Sequence, residues 1–160
     1  MSVDCTPRIG NLFILLLAVA GCGTPVRPYE GKSIAQLERM LGDSDPAVQV
    51  QGAFGLAEHG SEAKEAVPAL TKALTSKETL VRQNVALALG KIGPDAKDAV
   101  PPLIDALNDP EWAVRRQAAV ALGEIGPDAR AALPALEKQA RDEHQLVRQA
   151  AEEARKKIRG

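Results

Sequence analysis

A period of 33 residues governs this chain: Val81–Gly93 reads VRQNVALALGKIG, and Val114–Gly126 reads VRRQAAVALGEIG. From residue 31 onward one unit is written four times, and its columns hold register without slippage. One column is Val48, Val81, Val114 and Val147; another is Leu37, Leu70, Leu103 and Leu136. A third is Leu41, Leu74 and Leu107, with Ala140 in the fourth unit. Pro68, Pro101 and Pro134 share a column in which the first unit has Ala35, and the column of Gly60, Gly93 and Gly126 is broken by Arg159. A fixed period of this size is the mark of a solenoid, in which each unit buries its apolar side only against its neighbours.

Each column has a physical task. In the third unit Val100, Leu103, Ile104 and Leu107 follow the i, i+3, i+4, i+7 spacing of one helical face. Pro101 falls in the first turn, where a missing N–H costs nothing. Asn108-Asp109-Pro110 breaks this helix, and the spacing predicts a second helix over about Pro110 to Glu124. Asp109 is then expected as its cap, with Pro110 in the first helical position, and the equivalent Asp43, Ser76 and Asp142 are also good capping residues. Val114, Ala118, Leu122 and Ile125 make its apolar stripe, Gly126 ends it, and Pro127 forbids continuation. Small residues at Ala53, Ala86, Ala119, Gly90 and Gly123 let neighbouring helices approach closely. A helical glycine costs about 1 kcal/mol relative to alanine, so close packing is the expected compensation.

The line VRxxAAxALGxIG, followed by Pro-Asp-Ala and a Val-Pro helix start, resembles the short HEAT repeat of the phycobilisome-lyase type. The resemblance covers residues 31 to 160, strongest in the two middle units. It implies an all-α fold, an α-solenoid of four helical hairpins, and a scaffolding or protein-binding role without lyase activity. The terminal units depart from the pattern as solenoid caps do. Unit one begins with Lys32-Ser33-Ile34, lacks the proline, and carries Gly52, Phe54 and His59 in its second helix. In unit four Glu152, Glu153, Arg155 and Lys156 replace Ala119, Val120, Leu122 and Gly123. A charged outer face is what the end of such a stack needs, so the array reads as complete at four units.

Ahead of the repeats stands a different kind of segment. Arg8 precedes an apolar run, Leu12 to Ala20, which is short for a membrane span and fits the core of a signal peptide. Val19-Ala20-Gly21-Cys22 resembles a bacterial lipobox, which implies cleavage before Cys22 and acylation of that residue. An ordinary secretory signal with an incidental cysteine, or an uncleaved anchor, are the alternatives. The only other cysteine, Cys5, leaves with the signal, so no intramolecular disulfide is expected. Residues 23 to 31, with two prolines and two glycines, read as an extended linker reaching at most about 30 Å. Gly23, where the enterobacterial sorting rule looks for aspartate, implies the outer membrane, with the domain facing the periplasm. The expected organisation is a lipoprotein signal peptide at 1–21, lipidated Cys22 and linker at 22–31, and a repeat domain at 32–160. The units of that domain fall at about 32–63, 64–96, 97–129 and 130–160.

Chemistry is sparse. The 20 basic and 21 acidic residues give no dominant basic field for nucleic acid, and 2% aromatic content leaves few stacking platforms. Di-iron hydroxylases built on HEAT repeats need several His–Glu pairs, whereas this chain has only His59 and His144. No Gly-x-Ser-x-Gly elbow and no phosphate loop after a strand is present, so neither an enzyme activity, a metal site, a cofactor nor a small-molecule substrate is expected. A protein partner is expected instead, engaged through the second-helix face. Arg82, Arg115 and Arg148 lie beside the core valines and are expected to pair with acids such as Asp109 and Asp142, with a role in partner binding as the alternative. The candidate binding residues are Gln83, Asn84, Arg116, Gln117 and Gln149, expected to be the more exposed ones, and Trp112, the only tryptophan, for which packing over its own turn is the alternative. The alternative expectation is a non-catalytic accessory subunit of a lyase or oxidoreductase system.

Overall fold

The computed structural model describes residues 27 to 160, so the signal segment, Cys22 and the first linker residues lie outside the described residues. Among the described residues there are eight α-helices and no strand. They pair as hairpins: α1 (Ile34–Leu41) with α2 (Pro46–His59), α3 (Val67–Ala73) with α4 (Thr79–Ile92), α5 (Val100–Ala106) with α6 (Trp112–Ile125), and α7 (Leu133–Gln139) with α8 (Gln145–Arg159). A further helical element, unanticipated from the sequence, lies between successive hairpins as a 3-10 segment at Gly60–Ala66, Gly93–Ala99 and Gly126–Ala132. Each segment kinks at a buried alanine, Ala63, Ala96 or Ala129, with ψ near 17–18°. No described helix is long and apolar enough to cross a membrane.

The glycine column ends the second helices as the sequence predicts. Gly60, Gly93 and Gly126 take φ of 55°, 73° and 77°, a region that penalises any side chain. The starts differ from expectation. α6 begins at Trp112, two residues after Pro110, and its N-cap Glu111 is extended and makes no side-chain capping bond. Asp109 instead accepts the Glu111 amide at 2.9 Å from outside the helix, and Asp142 accepts that of His144 at 2.8 Å. Only in the first hairpin does an aspartate before a proline cap directly, and there it is Asp45, not Asp43, that accepts the Ala47 amide at 2.8 Å. The same local turn recurs without any arginine on it, since Asp43 accepts the Asp45 amide and Ser76 the Glu78 amide, and all four second helices start at one column, Pro46, Thr79, Trp112 and Gln145.

The core runs unbroken along the stack. The leucines of one column, Leu37, Leu70, Leu103 and Leu136, are each 0% exposed. The main packing between repeats is of second helix on second helix, with little contact between the shorter first helices. Close approach at that side depends on glycine. A Cβ on Gly90 would lie 3.1 Å from the Ala121 Cα, and one on Gly123 would lie 2.9 Å from the Ala154 Cα. At the first hairpin no earlier helix among the described residues covers α2, and the turn over residues 27–31 packs there: Tyr29 lies against Gly55 and its ring is 5.4 Å from that of Phe54. At the other end Glu152, Glu153 and Lys156 are exposed on α8.

Candidate functional site

Two features could carry function: the ladder of arginines between repeats and the open face of the second helices. The ladder is built from the column beside the core valines. Arg82 donates from Nε and Nη2 to both oxygens of Asp109, at 2.7 and 3.0 Å, and Arg115 does the same to Asp142, at 2.8 and 3.1 Å. Both pairs are largely covered, with side chains 7–12% exposed. Burial alone would raise the aspartate pKa values. The arginine fork, the backbone amide two residues on and the nearby positive charge outweigh it, so Asp109 and Asp142 both sit below their ordinary 3.8. The aspartates in turn hold the Arg82 and Arg115 guanidinium groups above their ordinary value, against the opposing effect of desolvation. These rungs tie adjacent hairpins together, as expected of Arg82 and Arg115, whereas Arg148, expected to pair likewise, has no carboxylate partner among the described residues. In the first hairpin Gln49 stands in that column and bonds only the Asp43 carbonyl, at 2.6 Å.

The open face is less uniform than the sequence predicts. Arg116 and Gln149 are exposed, and Gln83 is half-buried. Asn84 is half-buried and spends its amide on the Leu80 carbonyl of its own helix, at 2.8 Å. Gln117 departs from expectation: only 9% of it is exposed. The close approach of α4 and α6 at Gly90 and Ala121 covers it, leaving it in the floor of a groove between the two helices. That groove, about 380 Å³, is walled by Leu87, Lys91, Arg116, Val120 and Glu124. Trp112 is half-buried and stacks on His144 of the next repeat, with ring centroids 4.7 Å apart and planes 19° from parallel.

Sequence reasoning missed Leu80 and Leu146, exposed by 64% and 46% at the start of α4 and α8. The signal was there: their column reads Ala47, Leu80, Ala113, Leu146, immediately before the valine column, and both of its leucines are exposed. Among the described residues no group of three or more His, Cys, Asp or Glu side chains could hold a metal ion. His59, half-buried at the end of α2, has Nδ1 3.7 Å from Glu62.

The profile of HEAT repeats matches residues 34–97 and 94–156 of the chain. No curated protein sequence matches it. Among solved structures it is similar to an engineered protein at 29% identity and a TM-score of 0.68, with 79% of this chain and 62% of that one covered. It is similar to human deoxyhypusine hydroxylase, in complex with glycerol, at 32% identity and a TM-score of 0.66. That match covers 89% of this chain and 50% of the hydroxylase, so the chain spans only part of either protein. The complex of CpcE and CpcF of phycocyanin lyase from Nostoc sp. PCC7120 is alike in fold, at 23% identity and a TM-score of 0.64, covering 75% of this chain and 78% of that one.

Proposed function

This chain belongs to the HEAT-repeat family, and from that premise we propose that it is a non-catalytic protein-interaction module whose working surface is the second-helix face. The observation that carries this is the groove between α4 and α6. Leu87 and Val120 offer apolar contact, and Lys91, Arg116 and Glu124 offer charges of both signs at its rim. Such a mixture suits a protein segment, which presents apolar and polar groups together, better than a polyanion. Exposed Leu80 and Leu146 and the Trp112 ring extend the same side of the stack. Against catalysis stands the supply of groups: two histidines, one on α2 and one before α8, and carboxylates placed at repeat spacing.

The second part of the proposal concerns place. The lipobox resemblance at Val19–Cys22 supports a lipid anchor on Cys22 in the bacterial envelope, with the module held close to the outer membrane. Six residues separate Cys22 from Tyr29, which is already seated on α2, so the seven steps of the tether reach at most about 25 Å.

A photo-crosslinking residue placed at Arg116 in the intact cell tests the surface, with one at exposed Asp105 on α5 as the control. One discrete adduct from position 116 and none from 105 is the expected result; no adduct from 116, or the same adduct from both, rejects the second-helix face. Intact mass of the membrane-extracted protein tests the anchor. Loss of residues 1–21 with added acyl chains, abolished by Cys22→Ala, is expected, and an unmodified full-length mass in the soluble fraction rejects it.

A further inference from the structure

The two ladder rungs share one construction. Nη1 of Arg82 is held by the carbonyls of Ser76 and Lys77, at 2.9 and 3.0 Å, and Nη1 of Arg115 by those of Asp109 and Pro110, both at 3.0 Å. Pinning one corner of a planar guanidinium twice fixes the direction of its Nε–Nη2 edge, which in both rungs meets an aspartate of the following hairpin. Arg148 repeats the first half of this construction: its Nη1 donates to the carbonyls of Asp142 and Glu143, at 2.7 and 2.9 Å. Its Nε–Nη2 edge is therefore aimed past α8, and no carboxylate among the described residues forms an ion pair with it.

The residues around Arg148 do not suit another hairpin of the same kind. Gly90 and Gly123 admit the backbone of the next helix, whereas their column holds Lys156 on α8. Leu56, Leu89 and Leu122 are fully buried, whereas their column holds Arg155, whose Nε is buried without a hydrogen-bond partner. Arg148 and Arg155 lie on one side of α8, two turns and about 10 Å apart. Glu152, between them on that side, is exposed and pairs with neither. Arg159 continues the side and is exposed.

We propose that this end of the stack docks an acidic segment of a partner protein. One carboxylate closes the Arg148 fork as Asp109 and Asp142 close those of Arg82 and Arg115, and a second, about 10 Å along, reaches Arg155. One fork held in advance by two carbonyls, with a second guanidinium on the same side, selects for paired carboxylates rather than for bulk negative charge. The site is separate from the second-helix groove, so either surface can fail without the other.

Fluorescence anisotropy with the full chain and a labelled deca-aspartate peptide tests this, with far-UV circular dichroism confirming that each variant keeps its helices. Arg148→Gln is expected to weaken binding about tenfold, and Arg148→Lys, which keeps the charge and loses the fork, nearly as much. Arg159→Gln, which removes one charge at the same end, is expected to change it less than about twofold. Arg116→Glu on the second-helix face leaves it unchanged. Wild-type affinity in Arg148→Gln, full affinity in Arg148→Lys, or no binding by the wild type overturns the proposal. A phosphoserine decamer bound tenfold more tightly than deca-aspartate also overturns it, by making phosphorylated segments the ligand.

Discussion

Replacing Asp109 by alanine strands a guanidinium that the fold continues to hold in place. Arg82 keeps its two bonds to the Ser76 and Lys77 carbonyls and loses both bonds to the carboxylate, with its side chain only 12% exposed. Removing one partner of a buried ion pair costs about 3–5 kcal/mol. Arg82 retains some contact with water, so the low end applies. The Glu111 amide also loses its acceptor, but Glu111 is exposed, and water replaces that bond at a cost under about 1 kcal/mol. The expected loss is about 3 kcal/mol, or roughly 10 °C in Tm for a domain of this size. Urea unfolding should be followed both by far-UV circular dichroism and by Trp112 fluorescence, because repeat arrays can unfold in parts and the two signals must coincide for one free energy to be read. Arg82→Met alone and combined with Asp109→Ala completes a double-mutant cycle, with an expected coupling of about 2 kcal/mol. A coupling below about 0.5 kcal/mol is the value of a solvated surface bridge, and it would refute the claim that the ladder locks the hairpins together.

The remaining predictions come from the same columns. Gly123→Ala should destabilise despite a gain of about 1 kcal/mol in helix propensity, because the new Cβ would meet backbone at 2.9 Å; a raised urea midpoint would show that the helices have room to part. Installing the missing first rung with Gln49→Arg and Ser76→Asp together should stabilise by about 1 kcal/mol, with either change alone neutral or harmful, as urea midpoints would report. Asp109 and Asp142 have folded pKa values below their ordinary 3.8, so their contribution is complete above that value and is lost as pH falls through the lower, folded values. Acid titration of Asp109→Asn with Asp142→Asn should therefore show a flatter loss of stability below pH 4 than the wild type.

What the sequence made legible is what the repeat fixes locally. Helix ends were readable because a glycine at positive φ, followed by proline in the two middle units, leaves a chain few options, and the ladder was readable because arginines and aspartates recur at one offset. Three features escaped, the first for a local reason and the other two because they are decided between repeats. Asp109 looks like a helix cap, but like Asp43 it accepts the amide two residues on from outside the helix, which starts at Trp112. Gln117 looks like a surface residue until Gly90 draws α4 against α6 and covers it. The 3-10 segments after Gly60, Gly93 and Gly126 look like loops until their alanines are seen to be buried against the neighbouring repeats. Periodicity therefore identifies the columns, while the spacing between repeats decides which of their members meet solvent. The same logic separates the two ends of the stack. Tyr29 covers α2 with a side chain that belongs to no column, whereas α8 replaces a buried leucine and a packing glycine with Arg155 and Lys156 beside an arginine still oriented as a rung. One end is closed by apolar contact from the chain itself. The other presents oriented charge, and it is there that a partner contributes what the repeat does not.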